Sequence, residues 1–450
     1  MKRVLASAFI IVGLLATSSF AQNHVILAWN DLGMHCANQD FSTFVILPPF
    51  NNVHAQVIQV GDALNPPVVV TTGFRVSYEI PGNTYSVGKT NFWDYAFQIF
   101  GVNLAPNIGL TGNGLTGNLS IDSNNFVVTG IPITPFTDAD LVHENAFQLG
   151  LFKLYDQSST LLTSTQNVVP VSNEINCVSA GCHSSAQSIL DEAGPEMGFD
   201  PNVKPVLCAS CHSSNALGTP GHPGVASLSE AVHSHHGEVT NDCYKCHPGP
   251  TTQCLRDVMK NQHGFVCQDC HGSVTNVGES IANGRNPWLQ EPSCGAVTCH
   301  GAKYAEEPGK LFRQSRGHGG LFCSACHGEP HAILPSGQAN DNVQNIALQG
   351  YAGTLNKCEV CHGIRPTGYG PHGLLALPCC QHGGDANHDG KVNVADVVYM
   401  INRIFKGGWD FPCKAEADAN NDSKVNVGDA VYLINSIFKS GPAPHCGGAN

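Results

Sequence analysis

Between residue 22 and about residue 170, apolar positions come in short runs rich in Val, Ile, Thr and aromatic residues, broken by Gly, Asn and Pro. Residues 68–72, 74–80 and 126–133 are such runs and predict strands, because β-branched and aromatic side chains suit a half-buried pleated surface. Residues 109–120, rich in Gly, Asn and Leu, predict a turn or loop. The stretch as a whole predicts an all-β, sandwich-like domain. From residue 176 to about 378 the texture changes to Cys, His, Gly and Pro, and long periodic apolar runs vanish. Short helices and irregular chain are expected there, with something other than apolar side chains filling the interior. Apolar helices are predicted again at 397–405 and 431–438.

The chain opens with Lys2 and Arg3, an apolar run over 4–16, and Ser19-Phe20-Ala21. A basic start, a short apolar stretch and a small-x-small site predict an export signal cleaved after Ala21. No later stretch is apolar enough to span a bilayer. The expected organisation is a signal over 1–21, a β-rich module of unassigned role over 22–170, a Cys- and His-rich domain with seven cysteine-pair motifs over 171–378, and a C-terminal repeat over 379–450. Export places the protein in the periplasm, on the cell surface or outside the cell.

Formal charge is −13, and the 22 Lys and Arg never cluster. That argues against nucleic acid and anionic membrane surfaces as partners. The unusual counts are 20 cysteines and 22 histidines. Disulfides are the first thought for an exported chain, but the spacing points elsewhere. Five segments read Cys-x-x-Cys-His: Cys208, Cys211, His212; Cys243, Cys246, His247; Cys267, Cys270, His271; Cys323, Cys326, His327; and Cys358, Cys361, His362. Two have a four-residue spacer: Cys177, Cys182, His183 and Cys294, Cys299, His300. Zinc knuckles and redox disulfides use the cysteine pair but do not require the next residue to be histidine. Histidine after all seven pairs is, by chance, roughly a one-in-a-billion event.

The pattern is that of covalent haem attachment. Two thiols add to the haem vinyl groups, and the adjacent histidine becomes the proximal iron ligand. Seven haem c groups are therefore expected. The spare histidines between 176 and 378 are His222, His233, His235, His236, His263, His318, His331 and His372. They suffice to give every iron a second imidazole, whereas Met197 and Met259 are too few for general His/Met ligation. His263 and His318, just upstream of motifs, are expected to reach neighbouring haems; His233, His235 and His236 stay unassigned. The mix of spacers resembles the multihaem class III cytochromes c over about 176–378. That resemblance implies mostly bis-histidine iron, electron transfer, and redox proteins as donor and acceptor. The alternative is a multihaem oxidoreductase with one open catalytic haem, of the nitrite- or hydroxylamine-reducing kind.

Residues 385–408 and 418–441 match at 17 of 24 positions, and Cys380, Cys413 and Cys446 keep the same 33-residue period. The repeat implies two copies of one supersecondary unit. Asp385, Asn387, Asp389, Asn393 and Asp396 occupy positions 1, 3, 5, 9 and 12 of a loop, with the Lys391 carbonyl at 7. Asp418, Asn420, Asp422, Lys424, Asn426 and Asp429 repeat the set. Six or seven oxygens at this spacing suit Ca2+, so two ions are expected. Each loop leads into a helix, none precedes either loop, and position 12 is Asp in place of the usual Glu. In these features the repeat resembles a type I dockerin, which implies an EF-hand-like α fold, two calcium ions, and a cohesin-like partner on a scaffold or cell surface. A bridge between the vicinal Cys379 and Cys380 is strained, which leaves two pairings with Cys413 and Cys446. Cys36 and Cys254 are left over, bridged or free. In the first module the string from Trp29 to Cys36 (Trp-Asn-Asp-Leu-Gly-Met-His-Cys) is the most unusual. It reads more readily as a buried turn with a structural cysteine than as a redox or metal site.

Overall fold

The computed structural model describes residues 23–193, 199–249, 251–366, 370–374, 380–408 and 411–447. The expected export signal, Met197 and Cys379 lie outside them. The first module is a sandwich of two five-stranded sheets. Its strands are β1 (His24–Asn30), β2 (His35–Cys36), β3 (Phe44–Val45), β4 (Asn51–Gln59), β5 (Val68–Val70), β6 (Phe74–Glu79), β7 (Thr116–Asn118), β8 (Ser120–Asp122), β9 (Asn125–Ile131), β10 (Phe147–Asp156) and β11 (Leu161–Ser172). One sheet runs β1-β4-β9-β8 with β5 on β4, and the other β2-β11-β10-β6-β7. The inward residues of both sheets, among them Ile26, Val53, Val76, Phe126, Phe152 and Val169, form the main core.

Two expectations for this module change. Residues 109–120, expected as loop, contain strand β7, which pairs antiparallel with β6 from Ser77↔Asn118 to Glu79↔Thr116. A helix, α1 (Phe92–Phe100), interrupts the strands. Its aromatic composition reads as strand, but Phe92 and Ala96 fall one turn apart and bury against Phe41 and Val45. Gly101, at φ +70°, closes it with a left-handed cap.

After β11 come short elements: α2 (Ala186–Glu192), β12 (Val206–Leu207), α3 (Leu228–His236), α4 (Val258–His263), α5 (Cys267–His271), α6 (Val274–Ala282), α7 (Cys323–His327), α8 (Val343–Gln349) and α9 (Glu359–His362). Among the described residues between 177 and 320, the buried apolar side chains other than proline are few: Leu190, Ala209 and Ile281. That agrees with a segment lacking an ordinary core.

The change of texture near residue 170 is not a break in packing. All but the first residue of β1 are buried. Ile26 and Ala28 face the sandwich interior, while Val25, Leu27 and Trp29 face Phe322, Ala325 and Leu355 of the second segment. A strand covered on both faces reads as a continuous apolar run, and β1 does. The Gln344 side chain accepts from the Ala28 amide at 2.8 Å and donates to its carbonyl at 3.1 Å, pairing as a strand would. Glu329 accepts from the Asn30 amide and from Asn167, both at 2.8 Å. The string from Trp29 to Cys36 is this junction. Gly33, at φ +72°, abuts the Pro330 carbonyl so closely that any β-carbon would overlap it. Its own carbonyl accepts from Arg256 at 2.8 Å.

The C-terminal module holds α10 (Val394–Lys406), α11 (Lys414–Ala417) and α12 (Val427–Lys439). Both long helices begin earlier than expected, because Asn393 and Asn426 cap them by accepting from the amides of Ala395 and Gly428. The short α11 stands before the second loop, where no helix was expected. Val397, Met400, Ala430 and Leu433 make its core.

Candidate functional site

Two kinds of site stand out. The calcium loops are built alike. Asp385 accepts from the amides of Asp389 and Gly390 at 3.0 and 2.8 Å, and Asp418 from those of Asp422 and Ser423 at 3.0 and 2.9 Å. Asp396 accepts from Asn387 and Asn393, as Asp429 does from Asn420 and Asn426. The sixth loop position bends through positive φ in both, at Gly390 (+82°) and Ser423 (+66°). Asp418, Asp422 and Asp429 bring carboxylate oxygens within 4.8 Å of one another. In the first loop the group that converges in this way is Asp385, His388 and Glu416. Glu416 is a residue the sequence reading missed; buried, it takes His388 Nδ1 at 2.5 Å. Burial first, then Asp385 and Asp389, pushes Asp396 up to about 6, as a cation-binding cluster without its cation should be. Cys380 and Cys446 form a disulfide, and Cys413 is also disulfide-bonded.

The second kind is the Cys/His segment. Each short-spacer motif is one helical turn. The histidine amide donates to the first cysteine's carbonyl at 3.0 Å for His212 and Cys208, and at 2.9 Å for His247 and Cys243 and for His362 and Cys358. Positions i, i+3 and i+4 then share a face, so both thiols and the imidazole point one way. The long-spacer motifs close the same contact over a wider loop, at 3.2 Å in both His183–Cys177 and His300–Cys294. None of the fourteen motif cysteines is in a disulfide.

Five motif histidines face a spare histidine across a gap of nearly constant width. Ring centroids are 6.0 Å apart for His183–His236, His233–His247, His327–His372 and His318–His362, and 6.1 Å for His271–His331. Two imidazoles bound trans to one metal, each nitrogen ~2.0–2.1 Å from it, have centroids about 6 Å apart. Rings in plain contact span about 4.5–7 Å as well; what marks these five is that each joins a motif histidine to a spare one. Backbone carbonyls can only accept, so Nδ1 of His212, His233 and His236 carries the proton given to Ala226, Ser229 and Val232 at 2.7–2.8 Å. Their Nε2 atoms are thereby left for a metal. Desolvation, then neighbouring histidines, lowers His247 and His271 to about 4 although both residues keep an exposed face, which favours the neutral form a ligand needs. His331 is the exception: charge on its buried neighbour Cys254 pushes it up to about 9.

The remaining candidates fall elsewhere. His300 has Tyr304 as its ring neighbour, at 6.3 Å. The His222 amide donates to the Cys211 carbonyl inside motif 2. His235 lies beside His236, and His263 beside Phe265. Cys36 and Cys254 are both free.

Residues 383–438 match the family model of the dockerin type I domain. The chain thus ends in a calcium-binding type I dockerin domain, a kind of module that binds cohesins. No curated protein and no solved structure matches the chain. No described helix is long and apolar enough to cross a membrane.

Proposed function

We propose that the chain is an exported seven-haem c-type cytochrome that transfers electrons, assembled through its dockerin domain onto a cohesin-like module of a scaffold or cell surface. The observation that carries this reading is the set of five imidazole pairs about 6 Å apart, each built on a Cys/Cys/His motif. Zinc sites would gather four ligands at one point; here two thiols and one imidazole stand at each motif, and at five of them a second imidazole stands opposite.

The residues fit haem c. At each motif the thiols would hold the macrocycle by thioether bonds and the motif histidine would ligate the iron. His236, His233, His331, His372 and His318 would close five sites. Haem supplies one-electron exchange between ferric and ferrous iron. The chain's own part is to orient His212, His233 and His236 through Nδ1–H and to favour the neutral form of His247 and His271. Seven sites between Cys177 and His362 leave too little polypeptide to separate them widely, which favours conduction or storage.

A second reading, reduction of nitrite or hydroxylamine at an open iron, has its place at His212 and His300. Among the described residues no histidine ring is recorded opposite either, and His222, His235 and His263 are the donors left. Carbon monoxide binding to the reduced parent protein separates the two readings.

His318→Ala tests the pairing. It should leave all seven haems attached, because attachment needs only the thiols and the motif histidine. It should convert one haem from low to high spin, raise its potential, and create a carbon monoxide site. His382→Ala and His388→Ala, in the dockerin domain, should do none of this. An unchanged low-spin spectrum in His318→Ala would contradict the pairing with His362.

A further inference from the structure

Helix α3 presents two of the facing imidazoles three residues apart, and they meet different motifs. His236 faces His183 of the first motif and His233 faces His247 of the third. Residues three apart lie on one side of a helix, and both rings are fixed by Nδ1–H donation to the carbonyl four residues earlier. The helix itself is held firmly. Ser227 caps it by accepting from the Glu230 amide. Against α6, a β-carbon on Gly278 would come within 2.8 Å of the Ser234 amide, and one on Gly237 within 2.9 Å of Thr275 Cα. No side chain fits between the two helices at these points.

We infer that α3 makes the first and third centres, numbered along the chain from Cys177, direct neighbours, His236 closing the one and His233 the other, so that the row departs from chain order. This rests on the haem reading above. Other contacts trace the same path. Asn176, next to Cys177, donates to the Gly249 carbonyl at 2.8 Å, just past the third motif. Gln268 of the fourth motif donates to the Asn241 carbonyl at 2.5 Å, and a cavity of about 400 Å3 opens between Cys243 and Cys267. Tyr304 meets His300 of the fifth motif edge-on and lies tilted against His372, which faces His327 of the sixth. The Leu355 amide donates to the Cys326 carbonyl, and Cys326 and Cys361 pack in one apolar cluster.

The test removes one centre and asks which spare histidine falls silent. Cys177→Ala/Cys182→Ala should carry six haems by intact mass. Adding His236→Ala to it should create no new high-spin signal in electron paramagnetic resonance, while adding His233→Ala should create one equivalent. In Cys243→Ala/Cys246→Ala the two histidines should exchange roles. The inference is overturned if His233→Ala is silent, or His236→Ala active, in the protein lacking the first centre. Should either background lose more than one haem, the iron positions in the intact protein, from anomalous X-ray diffraction, decide instead. The irons at His183 and His247 should be nearest neighbours, and an iron at His212 between them overturns the order. A protein without covalent haem sinks the haem reading itself, which a wrong order does not.

Discussion

Arg256→Ala is expected to cost about 3–5 kcal/mol of stability, the usual loss when one member of a buried ion pair is removed. Arg256 is almost fully buried and meets Asp341 through two bonds, Nε to Oδ2 at 2.7 Å and Nη2 to Oδ1 at 2.9 Å. It also donates to the Gly33 carbonyl and stands 3.8 Å from Glu329. Without it, Asp341 and Glu329 are left as buried carboxyls facing each other. Burial, with Asp341 next, already raises Glu329 well above an ordinary carboxyl. The midpoint of urea unfolding, followed by tryptophan fluorescence, should fall clearly for Arg256→Ala. Arg256→Met/Asp341→Leu should recover part of the loss, because the orphaned charge goes with its partner. A loss under about 1 kcal/mol for Arg256→Ala, the range of exposed pairs, would show that this junction does not join the sandwich to the second segment.

Calcium removal is expected to unfold residues 380–446 and leave the rest intact. Three carboxylates converge in the second loop, Asp385 converges with Glu416 in the first, and a cation relieves their repulsion. Chelator should abolish the far-ultraviolet helical signal of α10 and α12 and open the region to protease. The Cys380–Cys446 disulfide keeps the ends joined, so readdition of calcium should restore both. The pH dependence follows from Asp396, raised to about 6. A carboxyl with a raised pKa holds its proton further up the pH scale, and that proton competes with calcium. Affinity should therefore weaken as pH falls through about 6 and be full above it. A chelator-resistant helical signal, or a change in the spectrum of the Cys/His segment on chelation, would contradict this division.

What could be read in the sequence is what the sequence places side by side. Each calcium loop is a contiguous ligand set, and each Cys/Cys/His motif is one turn or one loop, so spacing alone exposes both. The sandwich showed through its β-branched runs. Helix α1 did not, because Phe92, Trp93, Tyr95 and Ile99 are residue types that favour strands; only the packing of Phe92 and Ala96 on Phe41 decides the matter. The two-sided burial of β1 was hidden too, since the covering residues, Phe322, Ala325 and Leu355, lie about 300 positions away. The same distance effect governs the spare histidines. Their number was countable, but His271 meets His331 and His318 meets His362 through tertiary packing that no local signal carries. The Trp29–Cys36 string is likewise explained by what it touches: Trp29 on Phe322, Asn30 on Glu329, Gly33 on Pro330 and Arg256.

The central claim is that the seven motifs hold covalent haem, and intact mass with a thiol count tests it most directly. Protein exported from cells with a haem-attachment system should gain the mass of seven haems, and the gain should survive acid-acetone extraction. After denaturation without reductant, alkylation should label Cys36 and Cys254, the two cysteines outside the motifs and the C-terminal module. A mass without haem, with the fourteen motif cysteines also taking label, would contradict the account.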